Sequence, residues 1–370
     1  MNRSRSISAI ANPPQNGDSF LKWSRFDSRL GALLLLALLC ICAVQVQGQS
    51  TLTWDSDGTA NGTITDGSGT WDTTSTNWTG DGGTTNQAFV ASDDAVFGGG
   101  SAGASGTITL GENLTSGRIT SNAANGGGTY IIDTSTFTLT TLNTEGGFIT
   151  NDIDVNENLT IQSGTGGGVQ LGRDFWTQIS SGKTLTINSD ISSDTRDRPL
   201  IMHQGVTGTL VLSGTNITAN NGINAIQLRN GTIQFSNDSN LGDNSLAFGY
   251  NSGQDGTLEY VGTGGSVDNN VQIGSFGTNT DRVGGGSIVN NGTGNLVFSD
   301  GTFNSAQVGT VARTLKLGGS FGDANEISGI IIDNAGTVAI TKEGTNTWNL
   351  NGNNTYTGAT TVSAGLLRLN

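Results

Sequence analysis

The sequence predicts an all-β chain wound as a right-handed parallel β-helix, a β-solenoid, behind a separate N-terminal signal or anchor helix. The first observation is composition. Of 370 residues 58 are glycine, only 12% are charged, and Thr, Ser and Asn fill much of the remainder, a mixture suited to a chain that keeps turning corners. The second is alternation. Apolar pairs one residue apart recur at Ile108/Leu110, Phe137/Leu139, Ile153/Val155, Leu159/Ile161, Leu185/Ile187, Leu258/Tyr260, Val271/Ile273, Leu296/Phe298, Leu315/Leu317, Ile330/Ile332 and Val338/Ile340. A period of two puts each pair on one face of a strand. The third is repetition. Leu350-Asn351-Gly352-Asn353-Asn354 has a looser copy 138 positions earlier, Leu212-Ser213-Gly214-Thr215-Asn216, and Gly365-Leu366-Leu367-Arg368-Leu369 answers to Gly231-Thr232-Ile233-Gln234-Phe235. The spacers are 14 residues in the first copy and 10 in the second. Strands keep their form while the connection varies, as in a repeat array.

Short strands at roughly 8 to 14 residue spacing also occur in sandwiches and irregular solenoids, which stay open as alternatives. One strand pair per copy cannot bury a core alone, so stacking of coils is the physical remedy. No segment of helical period follows the leader, which argues against α/β folds.

Residues 1–48 are a different chemical object. Arg3, Arg5, Lys22, Arg25 and Arg29 precede the apolar run Leu30 to Val46, and Val46-Gln47-Gly48 offers small or aliphatic residues where a signal peptidase reads. The reading is a secretory signal with a long basic region, which makes the export machinery a partner. The alternative is an uncleaved inner-membrane anchor with a periplasmic body, since about 17 residues is the lower limit for a span. Both cysteines, Cys40 and Cys42, lie in this run, so the remainder holds neither a disulfide nor a thiolate metal site. The leader has five basic and two acidic residues, leaving 11 basic and 28 acidic and a formal charge of −17 beyond it. Such a surface repels nucleic acid and anionic lipid.

Residues 49–100 carry Trp54-Asp55, Trp71-Asp72, Asn77-Trp78 and Asp93-Asp94-Ala95-Val96-Phe97. The structural reading is an N-terminal cap whose aromatics seal the open end of a stack. The functional reading is a carbohydrate-binding platform of indole faces.

The body, residues 101–370, contains the two repeat copies at about 203–249 and 340–370. In the second, Lys342-Glu343-Gly344, Leu350-Asn351-Gly352-Asn353-Asn354, Thr355-Tyr356-Thr357-Gly358 and Thr360-Thr361-Val362-Ser363-Ala364-Gly365 precede an apolar strand. This pattern resembles the autotransporter-associated, or passenger-associated, β-strand repeat of bacterial surface proteins. The 203–249 copy departs from it at Ile217-Thr218-Ala219-Asn220 but carries the Asn-x-Leu-Gly ending in Asn240-Leu241-Gly242. The resemblance covers roughly a fifth of the chain. It implies an exported, surface-displayed or secreted passenger or stalk, structural or adhesive, at the cell surface, outer membrane or outside the cell, with a body that is not membrane-embedded. Surface glycans or other cell-surface proteins are the partners it implies. Such proteins normally end in an outer-membrane β-barrel. Here the sequence stops at Asn370 inside a repeat, so the last copy is expected to be truncated.

Catalytic candidates are scarce. A single histidine, His203, excludes His-cluster metal sites and leaves one possible base for a triad. Its bland reading is a polar residue beside a turn. The most unusual stretch, Asp194-Thr195-Arg196-Asp197-Arg198-Pro199-Leu200-Ile201-Met202-His203, holds the only Pro, Met and His beyond the leader. There an Arg base and carboxylate-bound Ca²⁺ could mimic a β-helical polysaccharide-degrading enzyme, but the motifs of β-helical pectinases are absent. Asp152/Asp154 and Asp55/Asp57 do not continue into calcium loops. The expectation is therefore a non-enzymatic protein with no catalytic, cofactor or metal residues. The alternatives are that enzyme or a carbohydrate-binding module.

Overall fold

Each alternating run becomes one short strand, and successive strands on a face are reached only after a full circuit of the chain. The computed structural model describes residues 49–142, 151–193, 198–203, 205–214, 225–274, 283–305, 311–322 and 324–370. The leader, the 217–220 spacer and Asp194–Asp197 lie outside them. The chain divides at Gly48, and Gln49–Asn370 forms one continuous unit.

Among the described residues two twelve-stranded parallel sheets run the length of that unit. The first face passes through Thr51–Trp54, Asp94–Phe97, Ile119–Ser121, Ile153–Val155, Phe175–Ile179, Leu200–Met202, Ala225–Leu228, Ser245–Phe248 and Val271–Ile273 to Ile330–Ile332. The second passes from Gly69–Trp71 through Leu159–Gln162, Thr209–Leu212, Thr232–Phe235 and Gly256–Tyr260 to Thr360–Val362. A third face is broken in two: a four-stranded sheet ending at Asp190–Ser193, and a five-stranded one starting at Thr263–Val267 and ending at Leu366–Leu369. Parallel strands need long crossovers. Here the crossover is the rest of the coil, so the predicted β-solenoid is the observed architecture.

The core consists of ladders. Ile161, Ile187, Leu212, Phe235 and Tyr260 pair in order up the second face, beside Leu159, Leu185, Leu210, Ile233, Leu258, Ile288 and Leu317. All are buried. Between them Thr186, Val211, Gln234 and Glu259 point outward. Strands stack at about 4.8 Å, so each inward side chain covers the one below it.

The repeat copies acquire a structural meaning. Leu210 and Leu212 pair with Ile233 and Phe235 on the second face; Trp348 and Leu350 pair with Leu367 and Leu369 on the third. Each copy is one circuit of the helix, with a strand of another face inside its spacer, Ala225–Leu228 in one and Thr360–Val362 in the other. The two copies therefore lie on different faces.

The second copy explains its own motif. Lys342 continues the inward ladder from Leu317 and is fully buried. Its ammonium donates to the carbonyls of Glu343, Gly344 (3.2 Å) and Ala364 (3.4 Å), and burial lowers its pKa. Gly365 has φ +69°, and a Cβ there would lie 2.7 Å from Lys342 Nζ. Lysine and glycine, 23 positions apart in sequence, are one device that closes a corner.

One alternation has the opposite phase. Ile331, not Ile330 and Ile332, faces the core: Ile331 pairs with buried Phe303, while Ile330 is exposed. Three consecutive isoleucines carry no periodicity, and the register with Thr302–Ser305 decides.

At the N-terminal end Trp54 and Trp78 pair across an antiparallel contact. Their rings are 5.3 Å apart, and Trp71, Phe89 and Phe97 lie 4.9 to 5.5 Å from Trp78. All five side chains are buried. At the other end Val362, Leu366 and Leu369 are exposed.

Candidate functional surface

The indoles of Trp54, Trp71 and Trp78 are buried in their own cluster, so they form no glycan platform. Their aspartate neighbours fasten turns instead. Asp55 accepts from Thr65 N (3.0 Å) and Asn86 Nδ2 (2.9 Å). Asp72 accepts from Thr74 N and Ser75 N. Asp57 accepts from Thr59 N and Thr65 Oγ1. Asp152 Oδ2 takes the Trp176 amide at 2.9 Å, and Asp154 faces Arg118 at 3.9 Å. Among the described residues no group of three His, Cys, Asp or Glu side chains is placed to hold a metal ion.

The polar aromatic residues of the body converge elsewhere, on the outside of the first face. Trp176, Ile201, Gln227, Ala247, Gln272 and Asn304 form an outward column in register. The first five are buried despite pointing away from the core. Arg229 lies between two rings, with its guanidinium carbon 4.4 Å from the Trp176 centroid and 4.5 Å from that of Tyr250. It donates to Gln227 Oε1 from Nε (3.2 Å) and Nη2 (2.9 Å). His203 is beside this cluster, its ring 6.0 Å from Trp176 and its Nδ1 accepting from Gly205 N at 3.1 Å. Burial, and then the charge of Arg229, lower its pKa. The imidazole is thus held toward its neutral form and packs beside the clamped guanidinium. Of the unusual stretch, His203 thus takes the place of a polar residue after the strand Leu200–Met202, while Arg196 lies outside the described residues.

Sequence reasoning missed Trp176, Arg229 and Tyr250 because they meet across several coils, at separations no local pattern encodes. It also missed the break in the third face. Among the described residues between Asp190–Ser193 and Thr263–Val267, the chain makes a 3₁₀ turn, Asp238–Asn240, where a strand would stand. Asn240 fixes it by donating to Gly214 O (2.7 Å) and accepting from Ser236 N and Asn237 N. This is the turn made by the Asn-x-Leu-Gly ending of the first repeat copy.

Comparison with known proteins agrees with these repeats. Residues 340–369 match the passenger-associated-transport-repeat family. Over 118 residues, 32% of the chain, the sequence is 36% identical to the adhesin BmaC autotransporter of Brucella suis biovar 1 (strain 1330). That match covers 3% of the relative's length. No solved structure matches the chain. Over these stretches the chain is similar to autotransporter passenger repeats, and its architecture is a parallel β-solenoid.

Proposed function

We propose that this chain is an exported, non-enzymatic stalk displayed at the bacterial cell surface, where it holds contact surfaces away from the cell and takes part in adhesion. The observation that carries the reading is the repeat coil itself, in which Lys342 and Gly365 close a corner inside a segment matching a passenger repeat. A stack of parallel strands paired on both sides is stiff and offers loops and outer faces for contact. Its surface carries a strong negative charge, which suits solubility outside the cell. In this reading residues 1–48 are the signal, 49–100 the cap and 101–370 the stalk, with surface glycans or cell-surface proteins as targets.

The test has three parts. Protein recovered outside the inner membrane should begin at or near Gln49; an intact leader in the membrane fraction would establish an anchor instead. Protease added to intact cells should remove the body from their surface, whereas protection would contradict display. Purified residues 49–370 should hold cells or glycan-coated beads without releasing new chain ends from any polysaccharide. Reproducible release would move the reading to an enzyme.

A further inference from the structure

Gln49 and Ser50, the first two residues beyond the leader, both end on one acidic pair. Ser50 N donates to Asp93 Oδ1 at 2.9 Å, Gln49 Nε2 donates to Asp94 Oδ1, and Asp94 N donates to Ser50 O at 2.8 Å. The strand Thr51–Trp54 then pairs in parallel with Asp94–Phe97. A glycine keeps room for the Gln49 amide: a Cβ at Gly117 would collide with both Gln49 Nε2 and Asp94 Oδ1. The junction with the leader is therefore fitted to this pair before the sheet begins.

The charges at the pair do not balance. Asp93 and Asp94 are only 7% and 2% exposed. The Arg118 guanidinium meets Asp94 at 3.1 Å and Asp154 at 3.9 Å. Asp93 stands in no ion pair among the described residues, so three carboxylates share one guanidinium. Burial raises the Asp93 pKa against the Ser50 amide bond, and the Asp94 charge raises it further. A buried carboxylate without a cation is costly, and one more positive charge at this corner would relieve it. The chain itself can deliver that charge. The Gln49 nitrogen is three bonds from the Ser50 nitrogen, at most about 4 Å away, and so lies within reach of the carboxylate that Ser50 binds. In an uncleaved chain it is a neutral amide. Hydrolysis of the Gly48–Gln49 bond puts the hydroxyl of water on the Gly48 carbonyl carbon and its proton on the Gln49 nitrogen. The amine so formed takes a further proton below its ordinary pKa of about 7.7–8.0.

We propose that Asp93 and Asp94 are the seat of the amino terminus released by cleavage after Gly48, with the Gln49 ammonium pairing with Asp93 while its side-chain amide stays on Asp94. The seat has this occupant only if residues 1–48 are the cleaved signal proposed above. It also protects the new end. A free amino-terminal glutamine cyclises when its neutral amine attacks Cδ and expels Nε2 as ammonia. Here the amine is held protonated and the amide is held by Asp94, so Gln49 should stay open.

The test uses the full chain, exported and processed by its host. Its first residue is sequenced, its mass shows whether ammonia has been lost, and the acylation rate of the Gln49 amine is followed against pH. Shielding scales such a profile as a whole, whereas a held proton shifts it along the pH axis. The terminus should be Gln49, uncyclised, and its amine should react about tenfold more slowly near neutral pH than the same amine in urea, through a shift of the profile. Asp93→Asn, which keeps an acceptor for Ser50 N, should return the profile most of the way to that of the unfolded chain. Retention of the leader would overturn the signal reading and the proposal together. A terminus at Gln49 whose profile moves neither in urea nor in Asp93→Asn would overturn the proposal alone, and so would a cyclised Gln49.

Discussion

Arg229 and Trp176, 53 positions apart in sequence, are stacked with the guanidinium carbon 4.4 Å from the indole centroid, and Tyr250 closes the other side at 4.5 Å. The contact ties coils of the solenoid on their outer surface, where the core ladders cannot act. A desolvated cation over an aromatic face contributes about 2 kcal/mol or more, and Gln227 Oε1 would lose both of its donors on truncation. Arg229→Ala should therefore cost about 2–4 kcal/mol in denaturant unfolding. Arg229→Lys, which keeps the charge and loses the planar fork, should recover only part of it. Equal stability of wild type and Arg229→Ala would show that the stack is incidental.

Phe235 gives the sharpest test of the inward ladder. It lies between Leu212 and Tyr260, with the Tyr260 ring 5.2 Å away, and is buried. Phe235→Asp should cost about 4 kcal/mol or more, because a charge would enter an apolar stack with nothing to pair it. Its neighbour Gln234 points out and donates to Glu259 Oε2 at 3.1 Å. Gln234→Thr should stay within about 0.5 kcal/mol. Gln234→Asp would face Glu259 and lose somewhat more. Comparable losses for Phe235→Asp and Gln234→Thr would contradict the alternation.

That alternation was legible because it is local. Leu258/Tyr260 and Leu296/Phe298 each contain an inward pair that any period-two reading finds. Ile330-Ile331-Ile332 was not legible: all three residues are equally apolar, and only pairing to Phe303 in the previous coil sets the phase. The repeat copies were visible as sequence, but their strands could equally have been hairpin partners. What makes each copy a whole circuit is the parallel register, a non-local fact. The surface was legible least. Trp176, Arg229 and Tyr250 have no common spacing, and the missing third strand around Asp238–Asn240 is an interruption that composition hides, since Thr263-Gly-Gly-Ser reads as one more polar turn. The carboxylates of Asp55 and Asp57 accept from backbone amides of nearby turns, partners set by the local fold and not by a sequence motif.

Asp154 supplies the pH dependence. Burial raises its pKa, more than the opposing Arg118 charge lowers it, and its Oδ1 is buried without a hydrogen-bond partner. A carboxyl that holds its proton more tightly in the folded state binds more protons there than in the unfolded chain. Stability therefore falls as pH rises from the ordinary value of 3.8 through the raised folded value. The cost is fully present at neutral pH and disappears below the ordinary value. Asp154→Asn should stabilise the protein at pH 7 and become indistinguishable from wild type, or slightly worse, near pH 3. A variant that loses stability at pH 7 would mean that the Arg118 attraction dominates after all.

The N-terminal cluster can be tested by a single methyl group. Gly69 opens the second face, and a Cβ built there would lie 2.5 Å from Trp54 Cζ2 and 2.9 Å from Cη2. Trp54 cannot retreat easily, because its Nε1 donates to Gly67 O at 3.0 Å and its ring packs against Trp78. Overpacking of this kind typically costs about 1–3 kcal/mol. The loss from Gly69→Ala should be local, since the stack is quasi-one-dimensional and each coil answers mainly to its neighbours. Tryptophan emission should shift to the red, and amides of Thr51–Trp54 and Asp94–Phe97 should exchange faster, while those of Thr232–Phe235 keep their protection. If exchange accelerated equally at Thr232–Phe235, the body would be unfolding as one cooperative block, and the cluster would be part of a global core instead of a seal on one end.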